Sequence, residues 1–237
     1  MKRLMISTLV LLSVIAGACV SVTENGTFFK QETVTVEQQE NNTLIIGDKS
    51  HDVTILYPIA VHSKKECPIE LLKACYYWSK VVPVTFYIEF GTNRRNGISL
   101  VRGTPNDPRR LGYYHYGKKW LYLSDLVTDS DERYFVLVHE LGHALWAPHL
   151  VALGEVKKRG HMFDHILMND PDTANEYLMY PVDNENYETL KVHPHIINFI
   201  RNRLGFGPGK APVTIQESKR LFEATKKAEL LDWLNKK

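Results

Sequence analysis

Two histidines four positions apart, His139 and His143, constrain this chain more than any other feature, and Glu140 lies between them. In a helix, side chains at positions i and i+4 project from the same face, so two imidazoles at this spacing can reach one metal ion. Residues 129–132 have the pattern of a helix-capping box, which predicts a helix over about 129–146. The sequence therefore predicts a helix that presents His139 and His143 to a divalent cation.

A third histidine, His149, follows shortly after this helix. Three neutral imidazoles would leave the fourth tetrahedral position to water, which is the arrangement of a catalytic zinc site rather than a structural one. Glu140 is then the candidate general base, because a carboxylate beside the ion can accept a proton from the attacking water. We therefore expect Zn²⁺ as the cofactor, His139, His143 and His149 as its ligands, and Glu140 as the catalytic residue.

In this region the sequence resembles the metzincin zinc peptidases and, among them, the matrixins. Their motif is HExxHxxGxxH, followed by a tight turn with a methionine beneath the zinc, and residues 177–181 here are Tyr-Leu-Met-Tyr-Pro. The resemblance implies that Met179 is the structural methionine of this turn, although Met168 in residues 166–169 offers a rival turn. Residues 78–86 also resemble the end of the first matrixin helix and the start of the first strand.

This resemblance implies a fold class and an activity. The fold is α+β and zincin-like, with a twisted mixed β-sheet, an active-site helix and a C-terminal helix. The activity is that of a zinc-dependent endopeptidase acting on a protein or peptide substrate. The extended substrate is expected to pair with an edge strand within residues 111–116. Its specificity pocket is expected to lie between His139 and residues 181–189.

One position departs from the matrixin motif. Trp146 stands where the motif has glycine, at the turn that leads to the third histidine. A bulky residue with a positive φ angle costs about 1–2 kcal/mol, so the turn could be built differently here. Another side chain would then replace His149 as a ligand, and the alternatives are His161, His165, Glu155 and Glu176.

Two other functions fit the same residues. An exported binding protein could keep zinc for stability without turnover, and a zinc hydrolase could act on substrates other than peptides. The presence of Glu140 favours an enzyme over a binding protein. The net charge of +2, without a basic face carrying interleaved aromatic residues, gives no support to a nucleic-acid partner.

The remaining segments suggest a simple domain organisation. Residues 51–206 carry the strand and helix patterns of the catalytic domain. Residues 19–50 are rich in Thr, Glu, Gln and Asn, and are expected to form a tether or a peripheral hairpin. Residues 207–237 are expected to form a linker and a C-terminal helix.

Residues 1–18 have the basic start and short apolar run of a secretory signal peptide. Cys19 follows Ala-Gly-Ala, as in a bacterial lipoprotein signal, so we expect an exported protein that a lipid on Cys19 could anchor to a membrane. Simple signal cleavage and an uncleaved short anchor are the alternatives. Cys67 and Cys75 then remain as either a disulfide or two buried thiols.

Overall fold

Nine strands are present in the described part of the chain, and seven of them form one mixed sheet. The computed structural model describes residues 34–39, 42–48, 51, 54–91, 97–107, 110–152, 165–168, 177–179, 190–207, 214–225 and 227–235. The sheet strands are β1 Val34–Gln39, β2 Thr43–Asp48, β3 Ile55–Val61, β4 Val84–Phe90, β5 Ile98–Gly103, β6 Gly112–His115 and β7 Trp120–Ser124. The other two, β8 His149–Ala152 and β9 His165–Met168, pair with each other in parallel.

The strand order in the large sheet is β1-β2-β4-β3-β5-β7-β6. Strands β4, β3, β5 and β7 run parallel to one another, whereas β1, β2 and β6 join through antiparallel pairs. Apolar and β-branched residues dominate β4, and its residues Val84, Phe86 and Ile88 are fully buried, as expected for a central strand. The short strand β6 closes one edge of the sheet, within the region predicted to contain the edge strand.

Five helices surround the sheet in the described ranges. They are α1 Ile69–Val81, α2 Ser130–Ala144, α3 Pro194–Arg203, α4 Ile215–Thr225 and α5 Lys227–Asn235. The predicted α+β class with a mixed sheet is therefore confirmed. No helix in the described ranges is long and apolar enough to cross a membrane.

Helix α2 is fixed by its cap and by its contact with α1. The Asp129 carboxylate accepts hydrogen bonds from the backbone N–H groups of Asp131 and Glu132, both at 2.9 Å, so the predicted N-cap is present. On the buried side, the indole N–H of Trp78 in α1 donates to the Val138 carbonyl at 2.8 Å. Trp78 and Leu137 are fully buried, and this packing fixes the position of the helix that carries His139 and His143.

The N-terminal hairpin belongs to the main sheet. Strands β1 and β2 form an antiparallel hairpin, as one of the two expectations for residues 19–50 allowed, but β2 also pairs with β4. Leu44 and Ile46 alternate on one face of β2 and are fully buried in the core. The hairpin therefore extends the sheet beyond β4, and the compact unit starts at Glu32. The predicted signal peptide 1–18 and Cys19 lie outside the described residues.

The described part of the C-terminal segment is helical, over α4 and α5. Phe222 of α4 packs edge-on against Tyr76, with 5.5 Å between ring centroids. Trp233 of α5 packs in the same way against Phe90 at 5.4 Å. A largely buried ion pair also joins Lys73 of α1 to Glu223 at 2.8 Å. These contacts attach both helices to the rest of the compact unit.

Cys67 and Cys75 are free thiols, and both are buried. The disulfide alternative is therefore wrong, and the two-thiol alternative is right. Burial raises the pKa of both thiols, so they remain protonated and behave as small apolar core side chains.

Candidate metal centre

Three imidazoles converge at the end of α2. His139 and His143 lie one helical turn apart, with 4.9 Å between their ring centroids, and His149 is the first residue of β8. The Nε2 atom of His149 is 3.3 Å from Nε2 of His139 and 2.9 Å from Nε2 of His143. Among the described residues, these three histidines form the group of side chains that could hold a metal ion.

Backbone carbonyls fix the orientation of two of these rings. Nδ1 of His139 lies 2.9 Å from the Leu178 carbonyl, and Nδ1 of His143 lies 2.9 Å from the Ala147 carbonyl. A carbonyl can only accept, so each Nδ1 carries a hydrogen and each neutral ring directs the lone pair of Nε2 toward the cluster. Histidines that ligate metals are commonly held in this way by a second hydrogen bond.

The donor atoms fit a tetrahedral metal ion. Two nitrogens bound tetrahedrally at 2.0–2.1 Å are about 3.3 Å apart, close to the separations found here. Burial lowers the pKa of His139. Burial and the neighbouring His139 lower the pKa of His143 to about 3. Both rings are therefore neutral at physiological pH, which is the form that binds a metal. His149 can place at most one hydrogen on Nε2, so lone pairs face one another unless a cation separates them.

The turn after α2 keeps a left-handed residue at the position of the substituted glycine. Trp146 has a φ angle of 71°, and the next residue, Ala147, donates its N–H to the Gly142 carbonyl at 2.9 Å. The chain thus reverses at a tryptophan where the matrixin motif has glycine, and His149 reaches the cluster. The backbone strain expected for a tryptophan in place of this glycine is therefore present.

The other candidate ligands do not enter the described cluster. The backbone of His165 pairs in register with that of His149 across β8 and β9, but its side chain is outside the described part of the structure. Glu155, His161 and Glu176 lie outside the described residues altogether. The predicted pocket wall at 181–189 also lies there.

A buried methionine lies beside the histidine helix. Met179 is fully buried, and its carbonyl accepts the N–H of Leu150 at 3.0 Å. A β-carbon added to Gly142 would lie 3.0 Å from the Met179 sulfur and 2.6 Å from Cζ2 of Trp78. Met179 therefore lies next to the helix that carries His139 and His143, and Met168 is in strand β9.

Glu140 belongs to α2 and lies on the side of this helix that faces the edge strand β6. Its carboxylate accepts a hydrogen bond from the backbone N–H of Tyr114. Burial raises the pKa of Glu140 to about 8, while the Tyr114 N–H and the positive charge of Arg110 act in the opposite direction. A carboxyl with such a pKa can accept and release a proton near neutral pH.

Two features of this arrangement were not predicted from the sequence. The first is the Tyr114 N–H that orients Glu140, since a backbone donor leaves no sequence signal. The second is Gly112, where an added β-carbon would lie 2.5 Å from Cγ1 of Val136 and 3.1 Å from Cγ of Glu140. A glycine at the start of a strand was the available signal, because it often marks a close approach of another element.

No protein-family model matches the chain, and the search of curated proteins finds no matching relative. The resemblance to metzincins therefore depends on the residues of the site itself.

Proposed function

We propose that this protein is a zinc-dependent endopeptidase of the metzincin type, with His139, His143 and His149 as the zinc ligands. The observation that supports this best is the convergence of three Nε2 atoms beside a carboxylate held at a sheet edge. Three histidine ligands leave one position of a tetrahedral ion open, as catalytic sites require. Met179 is proposed as a structural residue of this site and does not ligate.

Glu140 is the proposed proton carrier. A bound zinc ion would supply Lewis acidity to the scissile carbonyl and to the attacking water. Glu140 would accept the proton of that water and then donate it to the leaving amine. The hydrogen bond from the Tyr114 N–H holds the carboxylate beside the edge strand, so the proton moves along a short, fixed path.

Strand β6 is the proposed binding site for the substrate backbone. In the described sheet it pairs on one side only, with β7. A strand with one open side can add an extended peptide through main-chain hydrogen bonds. This arrangement would place the peptide beside Glu140, because Tyr114 lies in this strand.

The substitution Glu140→Gln tests the enzyme hypothesis. Gln keeps the size of the side chain and the acceptor for the Tyr114 N–H, but it cannot take a proton. We expect the zinc content to stay unchanged and the hydrolysis of an unfolded protein substrate to fall by about 10²–10⁴-fold. The alternatives have different outcomes: a binding protein would show no wild-type hydrolysis, and a hydrolase of other substrates would cleave ester or amide probes but no peptide library.

We also propose that the protein is exported and that Cys19 is lipidated, from residues 1–19 of the sequence. Mass spectrometry of the mature N-terminus tests this directly. A diacylglycerol-modified Cys19 supports a membrane anchor, and an unmodified N-terminus at that residue indicates simple cleavage.

A further inference from the structure

Trp146 forms the centre of a small cluster beside the metal-binding turn. Trp146 is 43% exposed although it is a large apolar residue. Its ring centroid lies 5.4 Å from that of Tyr116, just beyond the end of β6. It also donates a side-chain hydrogen bond to Tyr57 of β3. These contacts restrain the indole ring, so a neighbouring group can stack on it.

The group that lies on this ring is Arg203, the last residue of α3. Its guanidinium carbon is 4.3 Å from the centroid of the Trp146 ring, which is the geometry of a cation–π interaction. Arg203 is exposed to solvent. Among the described residues, no carboxylate forms an ion pair with it. A positive charge is thus held in position, and no acidic side chain in the described ranges pairs with it.

The charge of Arg203 acts on two tyrosines that neighbour Trp146. Burial raises the pKa of Tyr57 and of Tyr116, and the charge of Arg203 opposes the rise in both. The negative charge of Glu140 acts on Tyr116 as well and raises its pKa further. Tyr116 therefore lies within electrostatic reach of both the proposed proton carrier and Arg203.

Tyr116 directly follows the edge strand and connects Arg203 to it, because the ring centroids of Tyr114 and Tyr116 are 5.0 Å apart. Tyr114, whose N–H contacts Glu140, precedes Tyr116 by two residues. A side chain of a peptide paired with β6, a few residues from the scissile bond, would therefore come close to Arg203.

We propose that Arg203, held on the ring of Trp146, is a specificity-determining residue that binds an acidic side chain of the peptide substrate. This inference rests on the proposed endopeptidase function. The planar guanidinium can donate two parallel hydrogen bonds to a carboxylate, and its stacking on the indole lowers the entropy lost on binding. Glu presents a negatively charged carboxylate to these donors and Gln a neutral amide, so substrates with Glu near the cut site are favoured over those with Gln.

Equilibrium binding tests this without relying on turnover. The protein used is the zinc-loaded Glu140→Gln variant. The probes are fluorescent peptides that each contain one Glu, placed at one of three positions on either side of a central bond. Each is paired with the same peptide carrying Gln. We expect one position at which the Glu peptide binds about fivefold more tightly, as for a partly exposed charged pair, with a smaller ratio at high salt.

Variants of α3 and of the turn then assign the preference to its source. Arg203→Gln should reduce the Glu-to-Gln ratio to about one, and Trp146→Gly should weaken it because the guanidinium loses the ring on which it lies. The matched control is Arg201→Gln, which removes the same charge from the same helix. Arg201 donates to the Gly207 carbonyl at 2.6 Å, so Arg201→Gln should leave the Glu-to-Gln ratio unchanged.

The outcomes separate this inference from the proposed activity. Equal binding of every Glu and Gln pair, a ratio that survives Arg203→Gln, or no binding of any peptide would each overturn the role of Arg203. Hydrolysis by the wild-type protein without such a preference would leave the endopeptidase proposal intact. A preference that depends on Arg203, in a protein without hydrolysis, would support the carboxylate site and contradict the enzyme.

Discussion

Gly112 in β6 lies so close to Glu140 in α2 that no side chain fits between them. A β-carbon on Gly112 would lie 3.1 Å from Cγ of Glu140, and also 2.5 Å from Cγ1 of Val136 and 3.1 Å from the Tyr122 carbonyl oxygen. The Tyr122 carbonyl oxygen is a backbone atom, so a change of side-chain rotamer cannot move it away. The glycine therefore sets the distance between the edge strand and the helix that carries the proposed catalytic residue.

We expect Gly112→Ala to lower peptide hydrolysis on the order of tenfold, because β6 must move away from α2 and the hydrogen bond from Tyr114 to Glu140 lengthens. Overpacking of this kind costs about 1–3 kcal/mol of folding free energy. Steady-state kinetics and urea unfolding measure the two effects, and zinc content should not change. Gly103→Ala is the control, since its β-carbon would lie 3.6 Å from its nearest neighbour. Wild-type kinetics in Gly112→Ala would contradict this role.

The strain at Trp146 predicts which of two substitutions gives the more stable protein. Both Trp146→Gly and Trp146→Ala remove the ring contacts with Tyr116 and Arg203. Only glycine adopts a φ angle of 71° without steric cost. We therefore expect the Gly variant to be more stable than the Ala variant by about 1 kcal/mol in urea unfolding of the metal-loaded protein. An Ala variant of equal or greater stability would show that the turn is not left-handed at this residue.

The raised pKa of Glu140 predicts a pH-dependent stability of the metal-free protein. Its pKa is about 8 in the folded chain, against 4.5 for the ordinary group. A carboxyl shifted in this direction destabilises the fold as the pH rises from the lower value to the higher one. Glu140→Gln cannot ionise, so its stability should exceed that of the wild type increasingly over this interval, by at most about 1.4 kcal/mol per pH unit.

Thermal unfolding of both proteins in the presence of a chelator, from about pH 5 to pH 9, measures this difference. The lowered pKa of His143 has the opposite sign and destabilises the fold as the pH falls below 6.5. Both proteins contain His143, so that contribution cancels in the comparison. A constant difference in melting temperature across the range would mean that Glu140 is ionised normally in the metal-free fold.

The local patterns were the predictable part of the fold. Helix α2 follows from the Asp129 cap and the histidine spacing, and β6 lies within the residues predicted to contain the edge strand. The pairing of β2 with β4 was not predicted, because two buried residues, Leu44 and Ile46, lie in a polar segment whose composition suggested a tether or a peripheral hairpin. Their burial depends on pairing with β4, a long-range contact that no local pattern encodes.

The same limit applies to the candidate site. The histidines and Glu140 were identifiable because their spacing has a physical meaning within one helix and one turn. Trp146 was identified as a departure from the motif, but its left-handed conformation required the structure. Arg203 could not be predicted at all, since it reaches the turn from a helix that follows much later in the chain. Contacts between distant elements are set by tertiary packing rather than by local sequence.

The most direct test is the zinc content of the purified protein at neutral pH, measured for the wild type, His149→Ala and the control His195→Ala. His195 is exposed in the first turn of α3, and its loss should leave the site unchanged. We expect about one zinc ion per chain in the wild type and the control, and loss of zinc to a weak chelator in His149→Ala. A wild-type protein that binds no zinc, or a His149→Ala variant that keeps full occupancy, would contradict the three-histidine site.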